Sequence, residues 1–224
     1  MSPRPRTVDD PTILEAAVQV LGRIGPERLT LAQVGDEVGL SAATLVQRFG
    51  SKRALMLAVL KHATDGFQER SQAAASDTES PLEAVFSSAS NRASALGGPD
   101  VLANLLSFYL SDLGDPEFRA LATENSRRAV EGFKALLDRA VAEGELAESY
   151  VDTAQLAETI YSLMMGTLLT WTVTGEGTYS SRIRRELDIL LRPFRRGPRK
   201  ASNHSHRDAE RPLASQLANA RIGS

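Results

Sequence analysis

The chain has 224 residues, of which 42% are hydrophobic and 24% charged, and no cysteine. That suits a folded domain with a real core and excludes disulfide scaffolds, thiolate zinc sites and thiol catalysis. Its net charge of −2 hides a distribution: residues 1–70 carry +1, residues 71–181 carry −10 and residues 182–224 carry +7, so a polyanionic partner should avoid the middle. His62, His204 and His206 are too scattered for a metal site, and the longest uncharged stretch, 159–175, suits a buried helix better than a membrane span.

Helical periodicity runs along the chain, and no strand-like alternation persists. Ile13, Ala16, Ala17, Val20, Leu21 and Ile24 share one helical face, with Pro11 in the first turn and Gly25-Pro26 as the stop. Two short helices, Leu31–Val38 and Ala42–Phe49, meet at Gly39-Leu40. A longer helix is predicted over 52–67, then a Ser/Ala/Asp-rich link over 71–80. Further helices are predicted over 82–96, 100–112, 117–142, 153–174 and 180–194, separated by glycine- and proline-containing turns. The expectation is an all-α protein: a three-helix head over 8–68, a larger helical body over 69–196, and a mobile basic tail over 197–224. With no apolar leader run, it should be soluble and cytoplasmic.

The informative segment runs from Leu29 to Phe49. Thr30 and Ser41 each precede a helical run, where a hydroxyl accepts from free backbone N–H groups, and Ser51 repeats this before Lys52. Gly39 suits the left-handed position that ends a short helix. Val34, Val38, Leu40, Leu45 and Phe49 can pack inward against the first helix, holding two short helices at a steep angle. Such a pair places its second helix in a major groove. The outward set is then Ala42, Ala43, Val46 and Gln47: small residues for close approach, an apolar tip for a thymine methyl, and an amide for adenine. Thr30, Gln33, Ser41, Thr44, Arg48 and Lys52 complete the DNA-facing set, Thr30, Thr44, Arg48 and Lys52 being suited to phosphates.

In this block, from about residue 12 to 60, the chain resembles the TetR (tetracycline-repressor-like) family of transcriptional regulators. The resemblance implies a helix-turn-helix DNA-binding head, a ligand-binding body, and a homodimer made mainly through the last two helices. It also implies a repressor that a small effector releases from DNA. The chain departs from the family pattern at Val46, where Tyr is common, at Arg48, where an aromatic residue or His is common, and at Gly35, where Ala is more usual.

In the body, Asn125 falls on the apolar stripe of Phe118, Leu121, Ala122, Ala129, Phe133, Leu136 and Ala140. An inward amide must find a partner, from a ligand, a water or a neighbouring group. Asn104 poses the same question. An apolar effector pocket is expected from Phe86, Leu105, Phe108, Tyr109, Asn125, Phe133, Met164 and Trp171. Leu156, Ile160, Leu163, Met164, Leu168 and Trp171, with Ile183, Leu187, Leu190, Leu191 and Phe194, form two stripes that either associate with a second copy or cap the monomer core. No phosphate loop, Gly-x-Ser-x-Gly or His-Glu-x-x-His occurs, so no enzyme, cofactor or metal is expected. The expectation is a ligand-responsive regulator on a palindromic operator. An activator, or a helical ligand-binding adaptor without DNA binding, stays open as an alternative.

Overall fold

The computed structural model describes residues 8–76, 78, 80–94, 97–111, 113–147 and 152–195. Residues 1–7, the tail over 197–224 and its His204 and His206 lie outside the described residues. Among those described, nine α-helices and no strand form: α1 Asp10–Ile24, α2 Leu31–Val38, α3 Ala42–Phe49, α4 Lys52–Ser76, α5 Pro81–Ser94, α6 Pro99–Ser111, α7 Pro116–Ala142, α8 Thr153–Thr174 and α9 Tyr179–Leu191.

The boundaries follow from side-chain caps. The carboxylates of Asp9, Asp115 and Asp152 and the hydroxyls of Thr30, Ser41 and Thr178 each accept a backbone N–H of the helix that follows. Asp9 is consequently more acidic than an ordinary carboxyl, chiefly through its bonds to Thr12. Two predicted limits need correction. Helix α4 does not end near Phe67 but continues to Ser76, through most of the segment read as a link. Gln72 and three successive alanines are strong helix formers and outweigh the serines around them. Helix α9 stops at Leu191, and Arg192–Phe194 tightens into a 3₁₀ turn at Pro193.

Two apolar clusters form. One joins α5, the later part of α7, α8 and α9, through Phe86, Phe133, Leu137, Leu146, Ile160, Trp171, Ile183 and Leu187 among others. The second holds α1 to α4 together through Ile13, Leu21, Leu29, Val34, Leu45, Leu55 and Val59, and it also takes Phe108, Phe118 and Ala122 from α6 and α7. Phe108 and Phe118 meet edge to face at 5.2 Å, a favoured aromatic geometry. The core of the head therefore extends into the end of α6 and the first turns of α7.

Polar links tie the same joint. Asn104 Nδ2 donates to the Gly22 carbonyl at 2.8 Å, so this amide is satisfied within the protein. Arg53, at the start of α4, pairs with Asp115 at 2.7 Å and Glu117 at 2.9 Å. The guanidinium holds the Asp115 carboxyl below its usual range. At the far end of the body, Glu145 Oε2 accepts from the Leu82 N–H at 2.8 Å, and the Ala147 N–H donates to the Phe194 carbonyl at 2.9 Å. The chain after α9 is thereby fastened to the loop after α7.

Candidate nucleic-acid interface

The geometry of the head starts at Thr30. Its hydroxyl accepts from the Gln33 N–H at 3.3 Å, while Gln33 Oε1 accepts from the Thr30 N–H at 2.9 Å, a reciprocal capping box. Gly39 closes α2 in the left-handed region at φ 70°, and the Leu40 N–H donates to the Gly35 carbonyl at 2.8 Å. That turn explains the glycine at 35: a Cβ there would lie 2.4 Å from the Leu40 carbonyl oxygen. The helix-propensity cost of about 1 kcal/mol is accepted for a turn tight enough to seat α3 on α2.

Ser41 Oγ accepts from the Thr44 N–H at 3.1 Å and lies 2.9 Å from the Thr44 hydroxyl, capping α3. Leu45 is completely buried and anchors the helix to the head core. Phe49 packs against the same cluster. With those two turned inward, Ala42, Ala43, Val46 and Gln47 are exposed, as are Thr30, Gln33 and Ser41, while Thr44 is half-buried. Val46, a branched apolar side chain, is 48% exposed on this face.

Arg48 and Lys52 are placed differently from the exposed set. Arg48 Nη1 donates to the Val8 carbonyl and to Asp10 Oδ1 (3.3 Å), joining the end of α3 to the start of α1. Lys52 Nζ donates to the carbonyls of Pro26 (2.7 Å) and Glu27 (3.2 Å), closing the turn between α1 and α2. Both side chains are half-buried by these contacts. The sequence pattern revealed the cationic residues but not their acceptors, which are backbone carbonyls distant in the chain. Arg23 is likewise paired with Glu37, at 2.7 Å.

The eight residues expected to line a pocket fall into different surroundings. Phe86, Phe133, Met164 and Trp171 are buried in the body cluster, Phe108 is buried in the head cluster, and Leu105 packs against both. Arg184 and Arg195 stand over the Phe86 ring, at 5.3 and 5.5 Å from its centroid. Trp171 Nε1 donates to the Gly177 carbonyl at 3.2 Å, and its ring meets Tyr179 at 6.1 Å. Phe86 and Trp171 thus support the packing around α9. Tyr109 Oη donates to the Ala122 carbonyl (3.2 Å) and lies 3.2 Å from Ser126 Oγ, which in turn lies 2.9 Å from Tyr161 Oη. Asn125 is 3% exposed, and its Oδ1 has no hydrogen-bond partner among the described residues.

The two apolar stripes of the last helices also divide. Leu156, Ile160, Met164, Trp171, Ile183, Leu187 and Leu191 are buried within one chain, so they form monomer core. The apolar groups left in solvent are Leu169 at 54%, Val173 at 79% and Ile189 at 59% exposure. Helix α8 is apolar on more than one side, and periodicity alone did not separate its two faces.

An all-helical chain with a capped helix-turn-helix head and a helical body defines a two-part helix-turn-helix protein. Residues 13–59 match the model described as bacterial regulatory proteins, tetR family, and residues 111–187 match the tetracyclin repressor-like C-terminal domain. The curated relatives include the HTH-type transcriptional regulator BetI of Brucella anthropi, 29% identical over 52% of this chain and 60% of that protein. BetI of Agrobacterium fabrum is 26% identical over 66% of this chain and 73% of the relative. The match spans about three fifths of the length of the Brucella proteins. Similar solved structures include a TetR regulator of Haloarcula marismortui, TM-score 0.69 at 18% identity, covering 82% of this chain and 96% of that one. Another is FadR of Bacillus subtilis in complex with stearoyl-CoA, TM-score 0.65 at 19% identity, covering 80% and 96%. The chain belongs to the TetR family.

Proposed function

We propose that this protein is a homodimeric transcriptional regulator that binds duplex DNA through α3, and that a small, largely apolar effector releases it from a palindromic operator as a repressor. The observation that carries this reading is α3 itself: capped by Ser41, anchored by Leu45, and exposing Ala42, Ala43, Val46 and Gln47 together. That surface suits the major groove, where Gln47 can pair with adenine and Val46 can touch a thymine methyl. Neutral donors at Thr30, Gln33, Ser41 and Thr44 then meet phosphates, and Arg48 and Lys52 keep the helix at its angle.

The exposed Leu169, Val173 and Ile189 supply the association face on α8 and α9. Pairing there sets two copies of α3 at a separation of about 34–36 Å, or a multiple of it, which gives the operator its palindrome. An effector in the body moves α4 and with it the heads. Both heads then no longer fit successive grooves, and the gain from two-site binding is lost. FadR, whose structure holds stearoyl-CoA, favours by analogy an effector with a large apolar part, as in the acyl chain of that ligand.

Selection of bound sites from random duplex DNA tests this reading. A palindromic site whose affinity falls with added salt is expected, and Gln47→Ala should relax preference at one base in each half-site, at a cost of about 1–3 kcal/mol for each half-site contact. Failure to retain any duplex at low salt while remaining a folded dimer would overturn it.

A further inference from the structure

The two apolar clusters do not meet along α7. The head cluster takes its last residue on this helix from Ala122, the body cluster takes its first from Ala129, and the buried residue between them is Asn125. Alanines one turn to either side leave little side-chain volume around the amide. Its Oδ1 is buried and has no donor among the described residues, a state that costs on the order of 1–3 kcal/mol.

The hydroxyls of α4 and α6 direct their protons elsewhere. Arg128 of α7 pairs with Asp65 of α4, the residue after Thr64, at 2.8 Å. Thr64 is 2% exposed, and its hydroxyl proton is already engaged by the Leu60 carbonyl at 2.9 Å, leaving lone pairs. Tyr109 likewise directs its proton to the Ala122 carbonyl. Among the described residues, none that is buried carries a charge; the buried polar set is Thr64, Ser90, Asn125 and Thr167. The charges nearest in sequence, Glu124 and Arg128, are already paired with each other at 2.7 Å, so an ionised ligand group buried at Asn125 would find no free counter-charge.

We infer that Asn125 is the polar anchor of the effector site and that the effector is a neutral, mainly apolar molecule that donates a hydrogen bond, such as an alcohol or a phenol, to Asn125 Oδ1. This rests on the proposal that the body takes a small effector. It goes further in naming the ligand chemistry and the atom that selects it.

Matched probes on the full chain test it: 1-decanol against decyl methyl ether and decanoate, and 2-naphthol against 2-methoxynaphthalene. The ethers keep shape and an acceptor but cannot donate. Binding is read as the shift in melting temperature over a probe titration. At least one hydroxyl probe should bind tenfold or more tightly than its methyl ether, and decanoate more weakly than decanol. Asn125→Leu, close to the amide in shape, should bind alcohol and ether alike, and without probe should melt no lower than the parent. Asn125→Ala provides the same comparison should leucine not fit. Equal binding of each hydroxyl probe and its ether by the parent overturns the inference while leaving the effector reading intact. Retention of the preference in both variants does the same. Binding of no probe at all overturns both.

Discussion

The helix-turn-helix and the middle of α7 treat polar side chains in opposite ways. In the head, the capping groups are matched: Thr30 and Gln33 satisfy each other, Ser41 caps α3, and Arg48 and Lys52 are held by carbonyls. At Asn125 a buried acceptor has no partner among the described residues. The contrast separates two tasks. A surface that docks on a rigid groove must be fixed beforehand, so local groups define its angle, whereas a site that changes with a ligand gains by leaving a group for that ligand to complete.

The largest effect should come from the head core. Leu45 is fully buried, and Leu45→Ala should cost about 2–5 kcal/mol. DNA binding should be abolished while light scattering still reports a dimer, since the body cluster contains no residue of α3. Loss of the dimer together with DNA binding would show that head and body do not stand apart in this way.

Next in size is the association face. Leu169→Glu combined with Val173→Glu introduces two charges where apolar groups are exposed, so the single chain should fold normally. Sedimentation should show a monomer, and affinity for a palindromic site should fall about 10²-fold or more, towards that of a half-site. This double variant weakens DNA binding without touching the head.

How far these features could be seen in the sequence follows the same division. The head was legible because its rules are local. Thr30, Gly39 and Ser41 mark helix limits within a few residues of the groups they satisfy, and α2 and α3 form over the segments that those residues predict. The order of the body helices was equally plain, with α8 at the predicted Thr153–Thr174. What could not be seen depends on distant contacts. Val8 lies 40 residues from the Arg48 that holds it, and Pro26 lies 26 residues from Lys52. The inward placing of Asn125 was visible from its stripe, but the lack of a partner emerges only from the packing of the helices around it.

Smaller effects distinguish a strut from a phosphate contact. Arg48→Met and Lys52→Met should each lower the melting temperature by a few degrees, since each removes a bond to a backbone carbonyl that ties separate segments of the head. The slope of log affinity against log salt should stay the same in both. A residue that neutralises a phosphate changes that slope by about one unit when removed. A drop of that size in either variant would make it a direct DNA contact.

The smallest effect concerns the joint between the two regions under acid. Glu124, beside Arg127 and Arg128, is lowered from 4.5 to about 2, and Asp115, beside Arg53, is lowered from 3.8. For a carboxyl depressed in the folded state, the unfolded chain takes up protons first as the pH falls. The added stability is therefore present above the unfolded value and is lost on descent through the folded one. For Glu124 that window runs from about pH 4.5 down to about 2. Both carboxylates are half-buried at the surface, so solvent and salt still screen the pairs and the slope should be shallow. Arg53→Met removes the cationic partner of Asp115 and Glu117 and leaves the cap on α7 in place. Its melting temperature should fall less steeply below pH 3.8 than that of the parent, and the two curves should converge at the acid end. Parallel curves would mean that the head is held to the body by the packing of Phe108 and Phe118 into the head cluster and by the Asn104 bond, with no measurable part for the ion pair.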